Sequence, residues 1–150
     1  MSLKRFFVCL TACTGMLFSS VSFGGADTPE SMRQLAAKVT KELWNQHDLS
    51  AIDRYFAKDY IQHGMGKDGS DGLKEFASGY FKKFPNFKVE DKHYVVEKDR
   101  IVIISATKND EKDRGELCFD MFRVANGKFA EHWGACEAVP ETRFNNNTPW

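Results

Sequence analysis

The sequence of 150 residues predicts an α+β domain that follows a short targeting segment. Three observations lead to this prediction. An apolar run follows two basic residues at the N-terminus, apolar side chains recur at helical spacing up to Pro85, and apolar and polar side chains alternate after it. Helices followed by a meander of strands are typical of a fold in which helices cover one face of an antiparallel sheet.

The first 26 residues are interpreted as a signal peptide. Lys4 and Arg5 precede an apolar run over residues 6–18, and small residues then lead to Ala26, after which we expect cleavage. The run is too short and too interrupted by Thr and Gly for stable membrane insertion. The protein is therefore predicted to be exported, either to a periplasm or out of the cell. A lipoprotein anchor at Cys13 is the less favoured alternative, because the apolar stretch continues well past it.

The charge balance bears on the kind of partner. The chain has 21 basic and 21 acidic residues, and loss of the signal peptide leaves 19 basic against 21 acidic ones. A nearly neutral surface gives no electrostatic basis for binding nucleic acid or anionic lipid. We therefore expect a small, uncharged or modestly polar molecule as the ligand, and no nucleic acid.

Three helical segments are predicted at the start of the mature domain, which we place at residues 27–139. The first begins with Thr28 as its cap and extends to Leu43. The second opens at Asp48 and ends near a turn at Lys58-Asp59. The third has the clearest amphipathic pattern, over residues 73–84.

Four strands are predicted after the helices, because the period of the apolar residues changes to two. They cover residues 87–97, 101–109, 116–124 and 128–139. The remaining residues, 140–150, are predicted to form an irregular tail.

The hairpin around Asn126-Gly127 carries most of the information about function. Asn-Gly is a strong turn signal, and the loop length decides which side chains share a face. A two-residue loop would mix polar with apolar partners, so we predict a three-residue loop. It groups six residues on one face of the sheet: Cys118, Asp120, Phe122, His132, Gly134 and Cys136.

Two registers are compatible with this loop. One forms two favourable cross-strand pairs, Arg123 with Glu131 and Met121 with Trp133. The other places Asp120 opposite His132. Either register brings a carboxylate and an imidazole within reach of each other beside Phe122, where they could act as general acid and base. A purely structural Asp–His hydrogen bond is the alternative, with about equal weight.

Two cysteines remain after the signal peptide, in what should be an oxidising compartment. Cys118 and Cys136 share a face and lie opposite each other in one register, so a cross-strand disulfide is geometrically allowed and is left open. The spacing of the cysteines and histidines does not indicate a zinc site, and no metal is expected.

The hairpin resembles that of the SnoaL-like polyketide cyclase family, a branch of the nuclear transport factor 2 (NTF2-like) superfamily. The family hairpin has an aspartate, an arginine, a Gly-Lys turn and Glu-His-Trp-Asp, and the matching residues are Asp120, Arg123, Gly127-Lys128 and Glu131-His132-Trp133. A second segment is similar to the family's Tyr-Ile-Gln-His block and the helix after it: Tyr60-Ile61-Gln62-His63, Gly69, Gly72-Leu73 and Phe76. With the long first helix, the resemblance covers nearly all of the mature chain.

The resemblance implies a cone-shaped α+β barrel, in which N-terminal helices pack on a strongly curved antiparallel sheet around a pocket, often as a homodimer. It also implies acid–base catalysis without a metal or nucleotide cofactor. The reaction types are aldol condensation as in the polyketide cyclases, isomerisation and dehydration.

The sequence departs from the family pattern at Gly134, where the cyclases have the aspartate expected to transfer protons. The remaining candidates for catalysis are His63, Asp120 and His132. Five aromatic residues are predicted to line the pocket: Trp44, Tyr60, Phe76, Tyr80 and Phe122. The alternative function is that of a non-catalytic ligand-binding or assembly domain that has lost its catalytic aspartate.

Overall fold

The computed structural model describes residues 27–150, so the predicted signal peptide and Cys13 lie outside the described residues. Helices and strands follow one another in the order α1 Pro29–Val39, a π-helical segment Thr40–Asn45, α2 Ser50–Tyr55, β1 Phe56–Gln62, α3 Gly69–Lys83, β2 Lys88–Glu97, β3 Arg100–Lys108, β4 Glu116–Ala125 and β5 Lys128–Ala138. Residues 139–150 form neither helix nor strand.

The five strands form one curved sheet that does not close into a barrel. Their order is β1-β5-β4-β3-β2, with β2 to β5 as an antiparallel meander and β1 parallel to β5. The helices cover the concave face, and the core lies between the two layers. The predicted α+β class, with helices packed on a curved antiparallel sheet, is confirmed.

The first helix forms where its cap and apolar stripe predict it. The Thr28 side chain accepts a hydrogen bond from the Ser31 amide, and the buried stripe of α1 consists of Met32, Leu35, Ala36 and Val39. The helix then continues as the π-helical segment, which buries Leu43. No helix within residues 27–150 is long and apolar enough to cross a membrane.

Strand β1 was not predicted from the sequence, which was interpreted as helix up to Phe56 and as a turn near Lys58. Phe56 and Tyr60 are buried, whereas Lys58 and Asp59 are exposed. The pairing of β1 with β5 also shifts register, from Phe56 opposite Phe129 to Ile61 opposite Glu131. An edge strand with such an irregularity lacks the regular alternation from which strands are predicted.

The hairpin turn differs from the predicted three-residue loop. Ala125 pairs with Lys128, so the loop is the two residues Asn126 and Gly127, with φ angles of 53° and 72°. Positive φ at both positions is typical of a type I′ turn. A β-bulge next to the turn supplies the extra residue, because Val124 pairs with Phe129 whereas Arg123 pairs with Glu131.

The bulge shifts the register by one residue, which is why the predicted grouping of side chains is right although the predicted loop length is wrong. Of the two registers left open, the structure has the one that pairs Arg123 with Glu131 and Met121 with Trp133. Asp120 therefore lies opposite Gly134, and His132 lies opposite Phe122.

Candidate functional site

A cavity of about 560 Å³ lies between the helices and the concave face of the sheet. All five aromatic residues predicted to bind a ligand line it: Trp44, Tyr60, Phe76, Tyr80 and Phe122. The polar residues in its wall include Gln62, Asp120 and His132. A cavity of this size with an apolar wall and few polar groups is typical of a small-molecule site.

Asp120 and His132 meet on this wall, on neighbouring strands β4 and β5. Asp120 Oδ1 lies 2.9 Å from His132 Nε2, and the imidazole stacks on Phe122 with 4.5 Å between ring centroids. Both side chains are mostly buried, at 29% and 16% exposed. The two predicted residues are therefore brought together by a diagonal contact between the strands.

Gln62, at the end of β1, determines which nitrogen of His132 carries a hydrogen. Its Oε1 accepts a hydrogen bond from the Gly64 amide at 3.0 Å and lies 2.8 Å from His132 Nδ1. A backbone N–H can only donate, so the atom at this position is the amide oxygen, and His132 Nδ1 must donate to it. One hydrogen then lies between Asp120 Oδ1 and His132 Nε2. It is bonded either to the imidazole or to the carboxyl group.

Gly134 leaves the space that this pair occupies. A Cβ atom built on Gly134 would lie 2.5 Å from Asp120 Oδ1 and 2.9 Å from His132 Nε2. Neither distance is compatible with van der Waals contact, so any side chain at this position would displace the pair. The absence of a side chain at Gly134 thus leaves room for the Asp120 carboxylate from the opposite strand.

Tyr60 adds a hydroxyl group to the same wall. The residue is 1% exposed and lines the cavity, and its hydroxyl makes no hydrogen bond to any residue from 27 to 150. Burial raises the pKa of Tyr60 far above its usual value, and the charge of Asp120 adds to that shift. The hydroxyl therefore stays protonated and can donate to an atom in the cavity.

His63 lies on the other face of the sheet and is not part of the cavity wall. Its Nε2 is 2.9 Å from Glu131 Oε1, and its ring stacks on Trp133 at 4.6 Å. Glu131 Oε2 also accepts a hydrogen bond from Arg123 Nε at 2.8 Å. The Arg123 guanidinium, and after it His63, lower the pKa of Glu131. The structure therefore does not bring His63 together with Asp120 and His132.

Asp91 is a cavity residue that was not identified from the sequence. It lies on β2, where the register shifts between Asp91 and His93, so that Asp91 and Tyr94 face inward although they are three residues apart. In a regular strand they would face opposite sides. The available signal was a change of phase in the alternation, from Val89 before the shift to Tyr94 and Val96 after it.

The two cysteines lie opposite each other in the pairing of β4 with β5 and form a disulfide at the cavity wall. Within residues 27–150, Glu116 and these two sulfurs are the one group of side chains close enough together to share a metal ion. Because both sulfurs are bonded to each other, neither is a thiolate that could bind a metal. The disulfide acts as a covalent link between the two strands that carry Asp120 and His132.

Comparison with known proteins identifies the family. Residues 34–108, half of the chain, match the family described as SnoaL-like polyketide cyclase. This match includes the Tyr60-Ile61-Gln62-His63 segment and ends before the hairpin. No curated protein matches the sequence.

Solved structures share the fold. TsrD from Streptomyces laurentii is 17% identical over 73% of this chain and 90% of its own, with a TM-score of 0.63. A SnoaL-like protein from Burkholderia thailandensis is 14% identical over 76% of this chain and 100% of its own, with a TM-score of 0.64. IdmH from Streptomyces antibioticus is 16% identical over 70% and 91%, with a TM-score of 0.58. At these identities the likeness extends to the fold and not to the reaction.

Proposed function

The chain belongs to the SnoaL-like polyketide cyclase family, and we propose that it is an exported acid–base enzyme that acts on a small, largely apolar carbonyl compound. The reaction is of the aldol condensation, isomerase or dehydratase type and uses no metal or nucleotide cofactor. One observation carries the proposal: Asp120 Oδ1 lies 2.9 Å from His132 Nε2 on the cavity wall, next to an apolar space large enough for a ring compound.

Asp120 has the role of the base. Its Oδ1 is held by His132, whereas Oδ2 makes no hydrogen bond to the residues that the structure describes. In the ion-pair form, Oδ2 can accept a proton from a carbon next to the carbonyl group of the substrate. The electrons of the broken C–H bond move to the carbonyl oxygen and form an enolate. Asp120 then holds the proton and returns it to another atom.

Tyr60 and His132 have supporting roles in this step. The Tyr60 hydroxyl donates a hydrogen bond to the oxygen on which the negative charge develops, in a part of the cavity with little water. His132, fixed by Gln62 and by stacking on Phe122, balances the charge of Asp120 before the transfer. The aromatic wall excludes water, which strengthens both interactions.

Hydrogen exchange in a simple ketone tests the proposal without knowledge of the natural substrate. The ketone 1-tetralone is incubated with the protein in D₂O, and loss of the proton signal next to the carbonyl is followed by NMR. We expect exchange well above the buffer rate with the wild-type chain, and near the buffer rate with Asp120→Asn. Equal exchange by both proteins would remove the role of Asp120.

A non-catalytic ligand-binding domain is the second candidate, and the absence of a carboxylate side chain at Gly134 is the observation that favours it. It predicts that 1-tetralone raises the melting temperature of the protein. It also predicts that hydrogen exchange stays at the buffer rate. Thermal stabilisation together with exchange would contradict it.

We also propose that a second copy of the chain covers the outer face of the sheet. Phe119 is 46% exposed there, and Met121 and Trp133 are half-buried on the same face. Large apolar side chains in one area are enriched in subunit interfaces. A dimer by sedimentation that becomes a monomer in Phe119→Lys would support this arrangement, and a monomeric wild-type chain would contradict it.

A further inference from the structure

The β-bulge in β2 brings a second carboxylate to the cavity, two strands away from Asp120. Lys92 has no partner on β3, because Asp91 pairs with Ser105 and His93 pairs with Ile104. The bulge turns Asp91 and Tyr94 to the same face. Bulges that re-aim a side chain are common next to functional sites.

Two hydroxyl groups hold the Asp91 carboxylate in place. Thr40 Oγ1 donates to Asp91 Oδ1 at 2.9 Å, and the Tyr94 hydroxyl donates to Asp91 Oδ2. Thr40 is the first residue of the π-helical segment, so an irregular helix and an irregular strand meet at this carboxylate. Both donors are neutral, and each carboxylate oxygen keeps a further lone pair.

No cation within the described part of the chain forms an ion pair with Asp91. Its hydrogen bonds within residues 27–150 come from Thr40 and Tyr94, and none of the ion pairs there includes it. Burial raises the pKa of Asp91 in spite of the two hydrogen bonds, and the charge of Asp120 adds to the shift. A partly buried carboxylate without a cation destabilises the fold, so its presence in a cavity wall is better explained by a ligand than by stability.

The positions of Asp91 and Asp120 in the sheet determine the distance between their Cα atoms. Asp91 on β2 and Asp120 on β4 are two strands apart and offset by two residues along the sheet. With the usual spacings between strands and residues, their Cα atoms are about 12 Å apart. The cavity wall includes both residues, with the apolar Ile103 between them.

We propose that Asp91 determines specificity by accepting a hydrogen bond from a hydroxyl group of the ligand, on the cavity wall two strands away from Asp120. The ligand class is then a ring compound with a carbonyl group at one end and a hydroxyl group at the other. A hydroxyl group donates one hydrogen, which the remaining lone pair of either Asp91 oxygen can accept. The inference rests on the proposed function, since it assumes that the same cavity binds a carbonyl compound.

Matched probes test the role of Asp91. Dissociation constants are measured by NMR titration for 1-tetralone and for its isomers with one hydroxyl on the aromatic ring. A hydrogen bond to a charged acceptor corresponds to about tenfold tighter binding or more, so we expect the best isomer to exceed 1-tetralone by that factor in the wild-type chain. In Asp91→Asn the preference should fall to about threefold or less, because the acceptor is neutral.

Two further variants complete the test. Asp91→Ala should abolish the preference while leaving the affinity for 1-tetralone within about threefold, since that compound makes no hydrogen bond to Asp91. Glu90→Gln, an exposed neighbour on the same strand, serves as the control and should keep the wild-type preference. Melting curves establish that each variant is folded.

The outcomes separate this inference from the proposed function. Hydrogen exchange in 1-tetralone without any preference for a hydroxylated isomer would overturn the role of Asp91 and leave the function of Asp120 standing. A preference that survives in Asp91→Ala would also overturn it, since another group would then bind the hydroxyl. A preference lost in Asp91→Ala, with no exchange in any ketone, would support the role of Asp91 and contradict the catalytic proposal.

Discussion

The two faces of the β4–β5 hairpin each hold a histidine next to a carboxylate and an aromatic ring. On the concave face His132 contacts Asp120 and stacks on Phe122. On the outer face His63 contacts Glu131 and stacks on Trp133. The His63 amide even donates to the His132 carbonyl at 3.0 Å, so the two sites are neighbours through the backbone.

The third partner distinguishes the two sites. Glu131 also binds Arg123, which is always charged, so the carboxylate stays ionised within a fixed network. Among residues 27–150 no arginine or lysine pairs with Asp120, and His132 is held by the neutral amide of Gln62. The same pair of residue types therefore lies in a network with an arginine on one face and in a pair held by a neutral amide on the other. The following four comparisons test this difference.

Removal of each carboxylate should give the largest contrast. Asp120→Asn takes away the base, so exchange of 1-tetralone should fall by about a hundredfold or more, as is usual for loss of a general base. Glu131→Gln, on the outer face, should retain the rate within about threefold. Rates are followed by NMR in D₂O, and an equal loss in both variants would show that the faces do not differ in function.

Replacement of each histidine should give a smaller contrast. His132→Gln keeps the base but removes a hydrogen bond to a charged group, so exchange should fall by about tenfold to a hundredfold. His63→Gln should leave the rate nearly unchanged. If His63→Gln were the slower variant, the catalytic role would have to be assigned to His63 on the outer face.

A methyl group at position 134 should push Asp120 and His132 apart. Gly134→Ala would place Cβ 2.5 Å from Asp120 Oδ1, so we expect a loss of about 1–3 kcal/mol in the free energy of unfolding, as for other overpacked sites. Gly79→Ala in helix α3 is the control, because nothing lies within 4 Å of the added Cβ and alanine favours helix by about 0.5–1 kcal/mol. Denaturant titrations measure both. If Gly134→Ala were as stable as the wild-type chain, the close packing around Gly134 would be contradicted.

The network of Glu131, Arg123 and His63 on the outer face should show the smallest effect. This effect is a dependence of the free energy of unfolding on pH. Arg123 and His63 hold the pKa of Glu131 below its ordinary value of 4.5, so their contribution to folding is present above that pH and is lost as the pH falls below it. Arg123→Gln should therefore be less stable than the wild-type chain at neutral pH, and the difference should shrink on acidification. A difference that grows at low pH would have the wrong sign.

The parts of the fold predicted from the sequence were those with regular periods. Helix α3 has regular helical spacing and strands β2 to β5 alternate over most of their length, and their predicted bounds differ from the observed ones by few residues. Strand β1 was missed because Phe56 and Tyr60 are its only buried positions along an irregular edge. The hairpin loop length was wrong because a bulge and a longer loop have the same effect on which side chains share a face.

A residue of the candidate site could be predicted only where the sequence pattern also indicated which face of the sheet its side chain occupies. Asp120 and His132 lie on strands with clear alternation, and the aromatic residues follow the helix and strand patterns. Asp91 is placed by a bulge, and Gln62 and His63 by the irregular end of β1, so their faces depend on tertiary packing. Adjacent residues such as Gln62 and His63 point to opposite sides as in any extended segment, but the sequence did not indicate that a strand is present there.

The protonation of His132 tests the central claim most directly. In ¹⁵N NMR of the protein with labelled histidine, the account predicts that Nδ1 of His132 carries a hydrogen at neutral pH, with Nε2 facing Asp120, and that Gln62→Leu alters this signal. An unprotonated Nδ1 that accepts a hydrogen bond from the Gln62 amide would contradict the account, because Asp120 and His132 would then no longer share their hydrogen in the way that the proposed chemistry requires.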